Sequence, residues 1–171
     1  MRALQATCLI LFTCSAFGQQ VVDVSNIEKR MKDGSEIIHF NGSAFSGFLT
    51  EHYANGKLKS WTTVKDGLAE GLWQEWYENG NLRYNAYWLA GKGHGLWEYY
   101  HENGELRQEE YYDHDIPNGI FREFFNNGQL KEKSSWLKGK KYGIWTYYSE
   151  TGILVKTEVY ENGNLVSTTE N

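Results

Sequence analysis

A glycine recurs every 24 residues in this chain, and that spacing limits the fold more than any other feature. It stands in Asn55-Gly56, Asn79-Gly80, Asn103-Gly104, Asn127-Gly128 and, altered, Thr151-Gly152. Two positions later comes a leucine: Leu58, Leu82, Leu106, Leu130 or Leu154. Asn-Gly between apolar and aromatic residues is the strongest short-range sign of a β-hairpin, because Asn tolerates and Gly favours positive φ. A hairpin turn repeated in strict register means an array.

The same period governs the residues between the turns. Gly71, Gly95, Gly119 and Gly143, with Gly47 before them, open the units, and Phe48, Leu72, Leu96, Ile120 and Ile144 follow. The next position holds Leu49, Trp73, Trp97, Phe121 and Trp145. A second strand ends at Val64, Trp88, Tyr112, Trp136 and Tyr160, before a second turn column at Gly67, Gly91, Asp115, Gly139 and Gly163. The two positions in the middle of that strand vary freely, as Tyr84 and Ala86 or Glu132 and Ser134. Each unit thus reads strand, Asn-Gly turn, strand, second turn, with about seven residues per strand. One unit alone cannot bury enough apolar surface to offset the entropy of ordering it, so units must stack. The expected fold is all-β: an elongated single-layer antiparallel β-meander of about ten strands, built from 24-residue β-hairpin repeats over residues 45–165.

Residues 19–44 read as a lead-in. Val21–Val24 suits a short strand, Asn26–Lys32 a helical turn, and Glu36–Phe40 with Asn41-Gly42 a degenerate first hairpin that starts the array. At the other end Asn162-Gly163-Asn164-Leu165 suggests a last hairpin arm as a solvated cap, with residues 166–171 as a polar tail. Residues 1–18 differ from everything after them. Met1-Arg2, an uncharged stretch with the apolar run Cys8–Phe12, and small Ala16 and Gly18 have the layout of a secretory signal peptide cleaved near Gly18. The expected location is therefore periplasmic or extracellular. Both cysteines, Cys8 and Cys14, fall inside that leader, so the mature chain has neither a disulfide nor a reactive thiol.

A formal charge of −5 disfavours nucleic acid, which needs a basic face, and an anionic membrane surface as well. With aromatics at 16% of residues, the partner expected instead is another protein.

The unit Gly71-Leu72-Trp73-Gln74-Glu75-Trp76-Tyr77-Glu78-Asn79-Gly80-Asn81-Leu82 resembles the MORN repeat variant family, a divergent relative of the membrane occupation and recognition nexus repeat. Gly95–Leu106 is closer still, and Val64-Lys65-Asp66-Gly67 and Trp136-Leu137-Lys138-Gly139-Lys140 resemble the family's linker turn. The resemblance implies a β-hairpin repeat sheet without intrinsic enzyme chemistry. Bacterial proteins of this kind are often labelled YwqK-family antitoxins, which implies an antitoxin or immunity partner.

Chemistry has few other places to reside. His94, His101 and His114 have spacings that match no compact ligand motif, and His101 occupies a column filled by Tyr53, Tyr77, Phe125 and Ser149. The acidic stretch Glu109–Asp115 lacks the loop glycine of a calcium site and reads as a solvated turn. No serine sits in a nucleophile elbow. Neither a cofactor, a metal nor a catalytic residue is therefore expected. Trp73, Trp97, Phe121 and Trp145 read as the packed spine, with Gly56, Gly80, Gly104, Gly128 and Gly152 fixing the turns. Trp88, Tyr112, Trp136 and Tyr160 are the candidate partner-binding face, with core packing as the alternative, since a single-layer sheet cannot cover both its faces. The function expected is an exported, non-enzymatic protein-binding scaffold. The alternatives are glycan or cell-wall binding through exposed Trp and Tyr, and an antitoxin or immunity role.

Overall fold

A computed structural model of the protein describes residues 20–32 and 34–171. The leader-like segment, with Cys8 and Cys14, lies outside the described residues. The first strands are β1 (Gln20–Asp23), β2 (Glu28–Lys32), β3 (Ser35–Phe40) and β4 (Ser43–Ala44). The repeats then supply β5 (Gly47–His52), β6 (Leu58–Lys65), β7 (Leu68–Trp76), β8 (Leu82–Leu89), β9 (Lys92–Tyr100) and β10 (Leu106–Asp113). They continue as β11 (Ile116–Pro117), β12 (Gly119–Phe124), β13 (Leu130–Leu137), β14 (Lys140–Lys141), β15 (Gly143–Tyr148), β16 (Leu154–Glu161) and β17 (Asn164–Glu170).

From β5 onward successive strands pair antiparallel in one open sheet of 14 strands, with β11 beside β10 and β14 beside β13. This is the elongated single-layer meander that the 24-residue period predicts. The extra strands arise where bulges split one arm of a unit into two short pieces, as at Pro117 and Lys141.

The two turn columns differ in kind. In the first, the Gly56 N–H donates to the Tyr53 carbonyl at 2.8 Å and the Tyr53 N–H to the Lys57 carbonyl at 2.8 Å. Only the glycine is left-handed (φ 81°), whereas Asn55 is not. That is a three-residue hairpin with a bulge, not the two-residue primed turn that Asn-Gly suggests. The asparagine serves through its side chain. Its Oδ1 accepts the N–H two residues on, as in Asn79 from Asn81 at 2.8 Å, and its Nδ2 donates to the next unit, as in Asn79 to the Glu102 carbonyl at 2.9 Å. The primed turns occupy the second column, where both central residues have positive φ: Asp66 (51°) and Gly67 (82°), or His114 (52°) and Asp115 (68°). There the second turn residue donates its N–H back to the start of its unit, as Gly91 to Ala69 and Asp115 to Gly93, each at 2.8 Å.

The N-terminal region departs from the expected start of the array. A 3-10 turn covers Val24–Asn26, and Glu28–Lys32 is extended rather than helical. Strands β2, β3 and β4 form a separate three-stranded sheet, while β1 pairs parallel with β5. With the array's edge taken by β1, the hairpin folds over the sheet and is tied by the Ile38 N–H to the Gly67 carbonyl at 2.8 Å. Val22, Phe45, Leu49 and Val64 form the buried core there, with Ile27, Ile38 and Phe40 against it. At the far end, residues 166–170 are not a free tail. They belong to β17, which pairs with β16 and is exposed along its whole length.

Candidate functional site

The two aromatic columns of the sequence interleave on one face. Trp88 pairs across the sheet with Gly71, Tyr112 with Gly95, Trp136 with Gly119 and Tyr160 with Gly143. With no side chain directly opposite on that neighbouring strand, each ring leans onto its diagonal neighbours. Gly71 itself is fixed by conformation, not space: its φ is 78°, and an added Cβ would meet nothing within 4 Å. The outcome is one ladder, Trp73–Trp88–Trp97–Tyr112–Phe121–Trp136–Trp145–Tyr160, with successive ring centroids 4.7–5.7 Å apart. Spine and candidate partner face are therefore a single structure. Trp88, Tyr112 and Trp136 are half-buried within it, and Tyr160 is buried at its end.

The positions beneath the second column are matched to it. Where that column holds Trp88 or Trp136, the residue two before is the buried, small Ala86 or Ser134. Where it holds Tyr112 or Tyr160, that residue is Glu110 or Glu158, whose carboxylate accepts the tyrosine hydroxyl at 2.9 and 3.0 Å. Glu158 also accepts from the Tyr147 hydroxyl at 2.7 Å and from Lys156 at 2.9 Å, and these bonds, Lys156 first, hold its carboxyl below the usual range. The middle positions are thus constrained by ring identity, although the sequence alone makes them look free.

A groove runs along this face. Between the N-terminal hairpin and the sheet lies a cleft of about 690 Å³, whose floor includes Leu49, Thr62, Trp73 and Trp88. It continues past Trp73 and Trp88 into a shallower depression of about 420 Å³ bounded by Arg83, Tyr84, Tyr99 and Arg107. Among the described residues the indole N–H groups of Trp73 and Trp88 are buried without a hydrogen-bond partner, whereas that of Trp97 donates to the Tyr87 carbonyl at 3.1 Å. Burial holds the Tyr84 phenol protonated far above its ordinary range and pushes Tyr99 up to about 12.

The two arginines belong to a basic column, Lys59, Arg83, Arg107 and Lys131, that sits at the register shift after each first turn. Lys59 and Lys131 are neutralised by Glu51 and Glu123 at 2.8 Å each. Arg83 lies 3.7 Å from Glu75, and Arg107 stands 5.5 Å over the ring of Tyr99, which takes the place that Glu51, Glu75 and Glu123 hold in three other units. The 24-residue spacing displays this column in the sequence, but only the bulge turns it onto the ladder face. The opposite face carries an exposed apolar row that includes Leu96, Ile120 and Ile144, with Leu96 paired to the exposed Tyr111 and Ile144 to the half-buried Val159. It is the column one position before the ladder's first member.

Of the three singled-out histidines, His101 stands in the first turn column, apart from the others. His94 and His114 come together with Asp113 at one second turn, with their rings 5.1 Å apart, because a second-turn residue contacts the side chain twenty positions earlier, as the Ala90 N–H does Glu70. Ser60 and Ser134 are buried on the ladder face.

The chain matches the MORN repeat variant family over residues 69–89, 93–114, 117–138 and 141–162, together just over half of its length. It belongs to that family. No curated protein matches it.

Proposed function

We propose that this MORN repeat variant protein is a non-enzymatic binding module that seats an extended, carboxylate-bearing segment of another protein in the groove on its ladder face. The observation that carries this reading is the pair Arg83 and Arg107 beside an aromatic floor, with Arg83 meeting the Glu75 carboxylate only at 3.7 Å and Arg107 standing 5.5 Å over the Tyr99 ring. A guanidinium held over a ring and only weakly paired is a ready site for a bidentate carboxylate, and Trp and Arg are the side chains that anchor protein interfaces. A sugar-stacking role has less support, because the ladder's ring faces are turned toward one another.

Export is part of the same proposal and rests on the signal-like composition of residues 1–18. An antitoxin-like role would be this binding with an exported toxic domain as its partner. The test is capture of partners by the purified protein and by its R83E/R107E variant, beside sedimentation with insoluble wall polysaccharide. Capture of a protein that charge reversal abolishes is the expected result. Capture indifferent to charge reversal, or saturable polysaccharide binding lost in W88A and W136A, overturns it.

A further inference from the structure

The geometry points to a zinc site formed by His94, Asp113 and His114 at the turn between β10 and β11. His94 lies on β9, one step beyond the Tyr112–Gly95 pair, so its side chain stands beside Asp113. Its Nδ1 is 3.5 Å from the Asp113 carboxylate, and the His114 Nδ1 is 2.6 Å from the same oxygen. One donor atom from each of the three residues falls within 4.8 Å of the others. In a tetrahedral zinc site, bonds of about 2.0–2.2 Å place neighbouring donors about 3.3–3.5 Å apart. The His94–Asp113 separation already matches, and the His114–Asp113 pair opens to it by rotation of two exposed side chains.

Two further observations single out this turn. The His94 Nδ1 is buried and, among the described residues, makes no hydrogen bond, although it faces the cluster. The turn is also the only one in its column without a glycine: His114 and Asp115 both hold left-handed backbone, at φ 52° and 68°. Asp115 fixes that conformation by accepting the Gly93 N–H at 2.7 Å while its own N–H donates to the Gly93 carbonyl at 2.8 Å. The carboxylate of Asp115 is thereby occupied in positioning the turn, which leaves Asp113 and the two imidazoles as ligands. The equivalent triplets elsewhere are Ser46, Lys65 and Asp66; Glu70, Leu89 and Ala90; Asn118, Leu137 and Lys138; and Tyr142, Glu161 and Asn162. None of them offers a comparable donor set.

Two imidazole nitrogens and one carboxylate oxygen suit zinc and its neighbours, not calcium or magnesium, which take mainly oxygen. Three protein ligands on an exposed turn leave the fourth position to water. Bound zinc would lock the tip of the His114 turn to β9.

The test is calorimetric titration of the metal-free full-length chain with Zn²⁺ at pH 7.5, with Mg²⁺ as control and thermal melts alongside. One equivalent of Zn²⁺ binds, and Tm rises by about 5–10 °C when free zinc is about a hundredfold above Kd. H94S and H114A, which install the residues found at Ser46 and Ala90, abolish both effects. D115G, which restores the usual turn glycine, keeps them. The metal-free Tm of each variant separates a lost ligand from a lost fold. Absence of Zn²⁺ binding by the native chain, or binding that survives in H94S, overturns the proposal.

Discussion

The Tyr112 hydroxyl donates at 2.9 Å to the carboxylate of Glu110, two residues earlier on the same face of the same strand. Tyr160 and Glu158 repeat the bond, and Trp136 with Ser134 shows the alternative solution at the same place in the ladder. The two residues are therefore one choice. Y112W alone takes the tyrosine donor from Glu110, which keeps the Gln108 amide at 2.7 Å, and sets a larger ring above it, and E110S alone leaves the phenol without its acceptor. Each single variant loses about 1–3 kcal/mol in urea unfolding, and the E110S/Y112W double variant recovers most of it. Additive losses in that cycle would show that the two positions are independent.

The buried phenols make the sheet sensitive to alkali. Tyr84 and Tyr112 are held protonated by burial, with the Glu110 hydrogen bond second for Tyr112, and Tyr99 is pushed up to about 12. Their unfolded values lie near 10. Because the folded values are raised, this stability is fully present below about pH 10 and is lost as pH climbs through the folded values. Y84F removes one of these titrations. Its urea midpoint should equal that of the native chain at pH 8 and exceed it at pH 11, and equal losses at pH 11 would refute the assignment.

Gly93 is needed for room. It is buried, and a Cβ there would collide with the six-membered ring of Trp97. The indole cannot move aside, because it touches Trp88 and Tyr112 and donates to the Tyr87 carbonyl. G93A is expected to cost about 1–3 kcal/mol, or about 2–12 °C in Tm. The matching change at the first-turn glycine, G80A, acts by a different route, since nothing lies within 4 Å of its added Cβ and only the left-handed φ of 95° opposes it. Near-UV circular dichroism tells the two apart: G93A perturbs the indole signal and G80A leaves it intact.

Asn79 has two separable tasks, closing its own turn through Oδ1 and reaching Glu102 of the next unit through Nδ2. N79A removes both, for about 1–2 kcal/mol. N79D keeps the first and loses the second, so its unfolding midpoint should fall between those of the native protein and N79A. A midpoint for N79D equal to that of N79A would assign the whole effect to the contact between units.

The period of 24 made the array, its strands and both turn columns legible, because glycine spacing is independent of how the strands pair. What it hid depends on pairing. Asn55 and its counterparts look like left-handed turn residues until the hydrogen bonds of Tyr53 place the turn one residue earlier. The columns of Trp73 and Trp88 look separate until Gly71 is seen opposite Trp88. Arg83 and Arg107 read as ordinary surface charges because the register shift that turns them onto the ladder leaves no mark of its own. Likewise His94 and His114 are twenty residues apart, a separation that means contact only once the second turn is known to fold back on its own unit.

The ladder also has an optical consequence. Trp73, Trp88 and Trp97 stand in succession with centroids 5.6 and 5.2 Å apart and planes inclined by 38° and 36°. Indoles that close and that skewed share their excited states, which produces a paired positive and negative band in circular dichroism and lets absorbed light migrate from ring to ring. Slippage of one strand past its neighbour would uncouple the chromophores before it exposed much new surface. The chain thus carries a built-in gauge of strand registry, readable without a label.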